Sequence, residues 1–151
     1  MNLACELCRH DGGRVLWRDA ALRVVLVDDP DYPGFLRVIW NEHVREMSDL
    51  AAPDRDRLMK VVFAAEAALR EVLTPHKINL ASLGNVTPHL HWHLIARYVD
   101  DAHFPQPIWG ARQRASDAAV LAQRSAKLAA VQAMLAQALG ASSVALLAEG
   151  R

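Results

Sequence analysis

The sequence predicts an α+β fold: about five antiparallel strands, one long helix packed across them, and a second helix towards the C-terminus. Three observations lead there. Strand-like runs occur three times before the first long helical pattern and twice after it. That order lacks the strict strand–helix alternation of a parallel sheet. The 151 residues, 52% of them hydrophobic, suffice for one core, and no composition break divides them. A single domain is therefore expected, with residues 1–114 as its main unit and 115–151 as a helical extension.

Residues 14–18 (Arg-Val-Leu-Trp-Arg) and 22–27 (Leu-Arg-Val-Val-Leu-Val) read as two short strands, and the three residues between them suit a hairpin. Asp28-Asp29-Pro30-Asp31-Tyr32-Pro33-Gly34 is rich in turn formers and breaks the pattern. Phe35 to Trp40 is the third strand. From Pro53, apt for a first helical turn, Leu58, Val61, Val62, Ala65, Leu69, Val72 and Leu73 recur at three- and four-residue steps and form one apolar face. Thr74-Pro75 ends that helix. Lys77 to Leu83 reads as a fourth strand, Gly84-Asn85 as a turn, and residues 89–98 as a fifth strand. A loop with Pro105 and Pro107 follows over 100–114. Ser116 is placed to cap a last helix in which Val120, Leu121, Leu128, Val131, Leu135 and Leu139 repeat up to Gly140, with an Ala-rich tail expected to fray.

Formal net charge is zero and no Lys/Arg block occurs, so nothing favours a nucleic-acid surface. The chain opens Met1-Asn2-Leu3-Ala4-Cys5-Glu6 without a basic region and apolar run, and no stretch approaches the roughly 20 apolar residues of a membrane span. A cytoplasmic location with no membrane association is expected. In that reducing setting Cys5 and Cys8 are not a structural disulfide, which leaves a metal site, a redox pair or buried thiols.

The most informative segment is His89-Leu90-His91-Trp92-His93-Leu94-Ile95. On an extended strand the three histidines share one face and the apolar residues the other. Packing gives no reason for three imidazoles there, since Val or Ile would serve a sheet better. A solvated face that happens to carry histidines is one alternative. A catalytic metal held by all three is another, although side chains two apart stand roughly 6.5–7 Å from each other on a straight strand.

His-apolar-His-apolar-His-apolar-apolar resembles the signature of the histidine-triad (HIT) family, and residues 89–95 satisfy each position. Asn79, Gly84, Arg97-Tyr98 and the segment Leu22–His43 resemble family positions too, so the similarity covers roughly residues 4–99. It implies a HIT-like fold and a nucleotide phosphohydrolase or nucleotidyl transferase, acting on a phosphoester, phosphoanhydride or phosphoramidate such as a dinucleoside polyphosphate. His91 would attack phosphorus and form a nucleotidyl-histidine, while His93 donates to a phosphate oxygen or to the leaving group. Gly84, Asn85 and Thr87 would contribute through the loop backbone, Asn79 through its side-chain amide, and Asp28 as an acceptor for ribose hydroxyls. As a plain turn residue Asp28 needs no such role. Family members are frequently homodimers, and no organic cofactor is implied.

Two departures bear on competence. Gly34 and Phe35 stand where the family commonly has a histidine that supports the nucleophile, so orientation of His91 must come from a backbone carbonyl or another side chain. Asn85 and Val86 stand where Gln followed by Ser or Thr is usual. A zinc-stabilised nucleotide-binding protein with little turnover is the alternative these departures favour.

Cys5, Cys8, His43 and His89 form a second set. Cys2His2 suits a closed structural zinc site, and several bacterial members of the family resemble this arrangement, with the first triad histidine given over to metal. Such a site would tie the N-terminus to the histidine strand. Finally, His103 to Trp109 is aromatic and proline-stiffened, either a strap over the sheet edge or a wall of the pocket. Trp109 is a candidate to stack on a base or to cross a dimer interface.

Overall fold

The computed structural model describes residues 4–140. A four-residue helix, α1 (Glu6–Arg9), precedes strands β1 (Arg14–Arg18), β2 (Leu22–Leu26) and β3 (Leu36–Trp40). The long helix α2 (Ala52–Leu73) follows, then β4 (Lys77–Ala81), β5 (His91–Arg97) and two further helices, α3 (Ala118–Ser125) and α4 (Leu128–Leu139). The strands form one antiparallel sheet in the order β1-β2-β3-β5-β4.

Local chemistry explains most of these boundaries. The β1–β2 turn is closed by Asp19, whose Oδ1 accepts from the amides of Ala21 and Leu22 at 2.8 Å each. Pro53 sits in the first turn of α2, where it forfeits no helical hydrogen bond. Thr74 ends that helix in the left-handed region at φ 46°, and Pro75 cannot resume it.

Strand alternation divides the sheet into two faces. Leu22, Val24, Leu36, Val38 and Leu94 point to the helical side and join Leu58, Val62, Leu69, Val131 and Leu135 in the main core. Each large aliphatic side chain buried there contributes about 1.5–3 kcal/mol relative to exposure. The other face carries Arg23, Arg37, His91, His93 and Arg97, with two smaller apolar clusters around Ile39 and Ile95. Among the described residues no helix is long and apolar enough to cross a membrane.

Three expectations are corrected. Regular pairing of the fifth strand begins at His91, not His89: the His89 amide turns back to the Thr87 carbonyl at 2.8 Å, and Leu90 bonds to Val44 and Trp40 outside the β5 ladder. The last helix is two, α3 and α4, because they are anchored at different places. Arg124 ties α3 to Asp100 at 2.9 Å and lies over the Tyr98 ring, whereas Val131 and Leu135 bury α4 in the core. Asp117, not Ser116, caps α3, accepting from the amides of Ala119 and Val120; the Ser116 hydroxyl instead donates to Asp31. The Ala-rich tail lies outside the described residues.

The 98–114 segment is held by a buried ion pair. Arg97 Nε donates to Asp101 Oδ2 at 2.7 Å and Nη2 to Oδ1 at 3.1 Å. Asp101 also accepts from the amides of Tyr98, His103 and Phe104. Burial pushes its carboxyl up, but Arg97 and these amides outweigh that and hold it below the usual range. This network brings the loop back across the sheet face and sets Trp109 beside His93.

Candidate active site

His91 and His93 are both buried on the non-helical face of β5, opposite Ile39 and Arg37 of β3. His91 Nδ1 lies 2.6 Å from the carbonyl oxygen of His89. A carbonyl only accepts, so Nδ1 carries the proton and donates. In the neutral ring Nε2 is then the unprotonated nitrogen. His93 Nε2 stands 3.0 Å from His91 Nε2 and donates to it. The ring that packs against His93 on one side is Phe35, at 5.6 Å between centroids, and on the other is Trp109, at 5.2 Å and edge-on.

Electrostatics favour neutral imidazoles. Burial pushes His91 down, opposed by its bond to the His89 carbonyl and assisted by the Arg37 charge. Burial, then His91 and Arg37, push His93 down to about 4. Both rings are therefore neutral near pH 7, and a neutral Nε2 is the form that can attack an electrophile.

The two rings open into a cavity of about 450 Å³ bounded by Glu6 and Leu7 of α1, Arg37 of β3, the 83–87 loop and Trp109. Of the residues expected at the site, Gly84, Asn85, Thr87 and Trp109 reach this cavity with His91 and His93. Two do not. Asp28 is exposed and lines a separate depression with Pro30 and Pro33, because its turn runs towards α3 and α4. Asn79 faces a neighbouring groove that shares Trp109, and its Oδ1 is taken by Arg97 Nη1 at 2.6 Å.

Cys5, Cys8, His43 and His89 come together at one end of the same face, their ligand atoms all within 4.8 Å of one another. Sγ of Cys5 is 3.4 Å and Sγ of Cys8 3.6 Å from His89 Nδ1, and Sγ of Cys8 is 3.4 Å from His43 Nδ1. Tetrahedral zinc with Zn–S near 2.3 Å and Zn–N near 2.05 Å requires S···N separations of about 3.5 Å, so this donor set fits. His89 Nε2 donates to the Trp40 carbonyl at 2.6 Å, which turns the bare Nδ1 towards the thiols. His89 thus faces the cysteines with its ring and His91 with its backbone carbonyl. It is not a wall of the cavity.

The HIT domain, as a family model, matches residues 11–100, more than half of the chain. The chain belongs to the HIT family. Its fold agrees with that of a histidine triad protein from Bradyrhizobium japonicum, at 28% identity and a TM-score of 0.69 over 83% of this chain and 92% of that one. A zinc-bound histidine triad family protein from Mycobacterium smegmatis shares the fold at 20% identity, with a TM-score of 0.61 over 89% of this chain and 95% of that one. An AP-4-A phosphorylase of Mycobacterium tuberculosis is 30% identical over 106 residues, covering 66% of this chain. The alignment spans about half of that relative, 54% of its length.

Two charged residues of this HIT protein's cavity escaped the sequence reading. Arg37 was legible in principle: a charged residue inside the run Leu36-Arg37-Val38-Ile39-Trp40 sits in phase with Phe35 and Ile39 on the histidine face. Glu6 was not, because nothing in the sequence shows that the four-residue α1 turns back against the sheet.

Proposed function

We propose that this HIT protein cleaves a nucleotidyl phosphoester, phosphoanhydride or phosphoramidate through a covalent nucleotidyl-histidine on His91. The observation that carries the reading is the His89 carbonyl bound to His91 Nδ1, which leaves Nε2 as the basic nitrogen at the cavity. It supplies the orientation that the missing third-strand histidine would otherwise give. Family membership and the likeness to an AP-4-A phosphorylase support a nucleotide as substrate.

In the first step His91 Nε2 forms a bond to phosphorus as the bond to the leaving group breaks. The leaving oxygen or nitrogen keeps that electron pair and accepts a hydrogen bond from the neutral His93 Nε2–H, with any proton it needs coming from solvent. In the second, water adds to phosphorus and gives up its proton to solvent, and the P–N bond breaks with its electrons returning to Nε2. His93 suits this role, since its depressed basicity keeps it a neutral hydrogen-bond donor at working pH. The amides of Gly84 to Thr87 stand at the cavity as donors for developing negative charge. Trp109, 54% exposed, gives a base a flat apolar surface.

Cys5, Cys8, His43 and His89 would hold structural zinc, through two Sγ and two Nδ1 atoms. Zinc with four protein ligands keeps no open position, so its contribution is to fix α1 and the His89 backbone.

A second reading, nucleotide binding with little turnover, is favoured by the Phe35 ring packed where a polar partner for the triad would help. A panel of adenylyl and guanylyl esters, assayed on wild type and His91→Ala with metal content measured on the same samples, separates the two. The nucleophile reading predicts turnover in the wild type and none in a folded His91→Ala. Equal rates contradict it, and a wild type that binds nucleotides without turning any over favours the second reading.

A further inference from the structure

Four arginines, Arg18, Arg23, Arg37 and Arg97, rise from the sheet on the histidine face, and three of them are engaged, Arg18 by an ion pair with Asp11. Arg97 is paired with Asp101 and bonded to Asn79 and the Gln106 carbonyl. Arg23 spends every nitrogen: Nε on the Asp11 carbonyl at 2.9 Å, Nη1 on Asn41 at 2.9 Å, and Nη2 on the carbonyls of Leu7 at 2.7 Å and His10 at 3.3 Å. Arg37 differs. Its one hydrogen bond is a long one, Nη1 to the Gly12 carbonyl at 3.3 Å, and its buried Nε has no partner. Among the described residues it belongs to no ion pair. A guanidinium so placed carries a desolvation cost that nothing in the fold offsets, beyond the Phe35 ring beneath it and the Glu6 carboxylate on the same cavity.

We propose that Arg37 is an anion-binding specificity residue, taking the phosphate one bridge beyond the phosphorus that His91 attacks and so selecting substrates whose leaving group is itself a phosphate. The proposal rests on the reading of His91 as nucleophile, and position supports it. Arg37 lies directly across from His93, while His91 lies across from Ile39. It therefore stands on the side of the cavity where His93 meets the departing atoms, two residue pairs along the strands from His91. A guanidinium presents a planar fork of donors to two phosphate oxygens and keeps its charge at any working pH. An amine or a neutral alcohol as leaving group gains nothing from that fork.

The test compares equilibrium binding of adenosine diphosphate and adenosine monophosphate, with the guanosine pair in parallel, to the wild type and Arg37→Gln. The expected wild-type preference for the diphosphate is about 10- to 100-fold, the range for charge-assisted hydrogen bonds to one added phosphate. In Arg37→Gln the ratio falls to near one. Arg37→Met, which keeps the apolar stem, gives the same reading should the glutamine variant fail to fold by circular dichroism. A ratio near one in the wild type overturns the proposal, as does a preference that survives in either variant. Turnover by His91→Ala is scored separately: it would overturn the nucleophile reading while leaving the diphosphate preference to be judged by binding alone.

Discussion

Replacing Asp101 with alanine removes the acceptor around which the loop carrying Trp109 is organised. In the folded protein the side chains of Arg97 and Asp101 are 3% and 2% exposed. Truncation leaves a buried guanidinium with only Asn79 and the Gln106 carbonyl, and it frees the amides of Tyr98, His103 and Phe104 from their shared acceptor. Breaking one side of a buried pair costs about 3–5 kcal/mol, and the three amides place Asp101→Ala towards the upper end. Against a total stability of roughly 5–15 kcal/mol that is a large share. Arg97→Met costs less, about 3 kcal/mol, because the carboxylate keeps its three backbone donors. Urea unfolding followed by tryptophan fluorescence measures both, and with a slope near 2 kcal/mol per molar the alanine variant's midpoint falls by about 2 M. The pH dependence has a definite sign. The folded carboxyl is held below its unfolded value, so its stabilisation is complete above about pH 4 and disappears as pH falls through the folded value. A loss under about 1 kcal/mol for Asp101→Ala, or a larger loss for Arg97→Met than for Asp101→Ala, would refute this reasoning.

Three further outcomes are expected. Stripping metal with a chelator, or Cys8→Ala, lowers the melting temperature by roughly 5–15 °C, because the unfolded chain has no assembled site to bind the ion; an unchanged melt in protein shown to have lost its metal contradicts the structural-zinc reading. His93 remains neutral through pH 5–8 in an NMR titration and protonates near pH 4. Since the unfolded imidazole takes its proton near 6.5, this residue's contribution to stability grows from pH 4 to 6.5, and a folded midpoint near 6.5 contradicts the burial argument. Gly34→Ala costs about 1–3 kcal/mol in a thermal melt, since its φ of 86° disfavours a side chain and its new Cβ would lie 2.5 Å from Leu73 Cδ1; a neutral result means that the turn has slack.

Much of this architecture was legible in the sequence because it rests on local periodicity. The alternation from His91 to Ile95 gave both a strand and its faces, and the Leu58–Leu73 spacing gave α2 and its buried side. The grouping of Cys5, Cys8, His43 and His89 was legible through chemistry rather than contact, as two thiols and two imidazoles at the ends of different elements. What the sequence hid depends on contacts between distant segments. The break at Ala126 and Lys127 carries neither proline nor glycine and follows from where Arg124 and Val131 are anchored. Asp28 was expected to meet a ribose, and the fold sets it at a separate depression with Pro30 and Pro33. The sequence left the support for His91 to a backbone carbonyl or another side chain, and only the fold shows that it is the His89 carbonyl. No sequence pattern marks Asp101, and only the fold closes six donors around it.

Covalent catalysis by this protein requires His91 Nε2 to bond to phosphorus. Mixing wild-type protein with a slowly resolved nucleotidyl substrate, quenching in base to preserve an N–P bond, and mapping the adduct by peptide mass spectrometry tests it directly. One nucleotidyl group on His91, absent from His91→Ala, is the expected result. An adduct on any other residue, or steady turnover with no adduct while His91→Ala remains active, would contradict it.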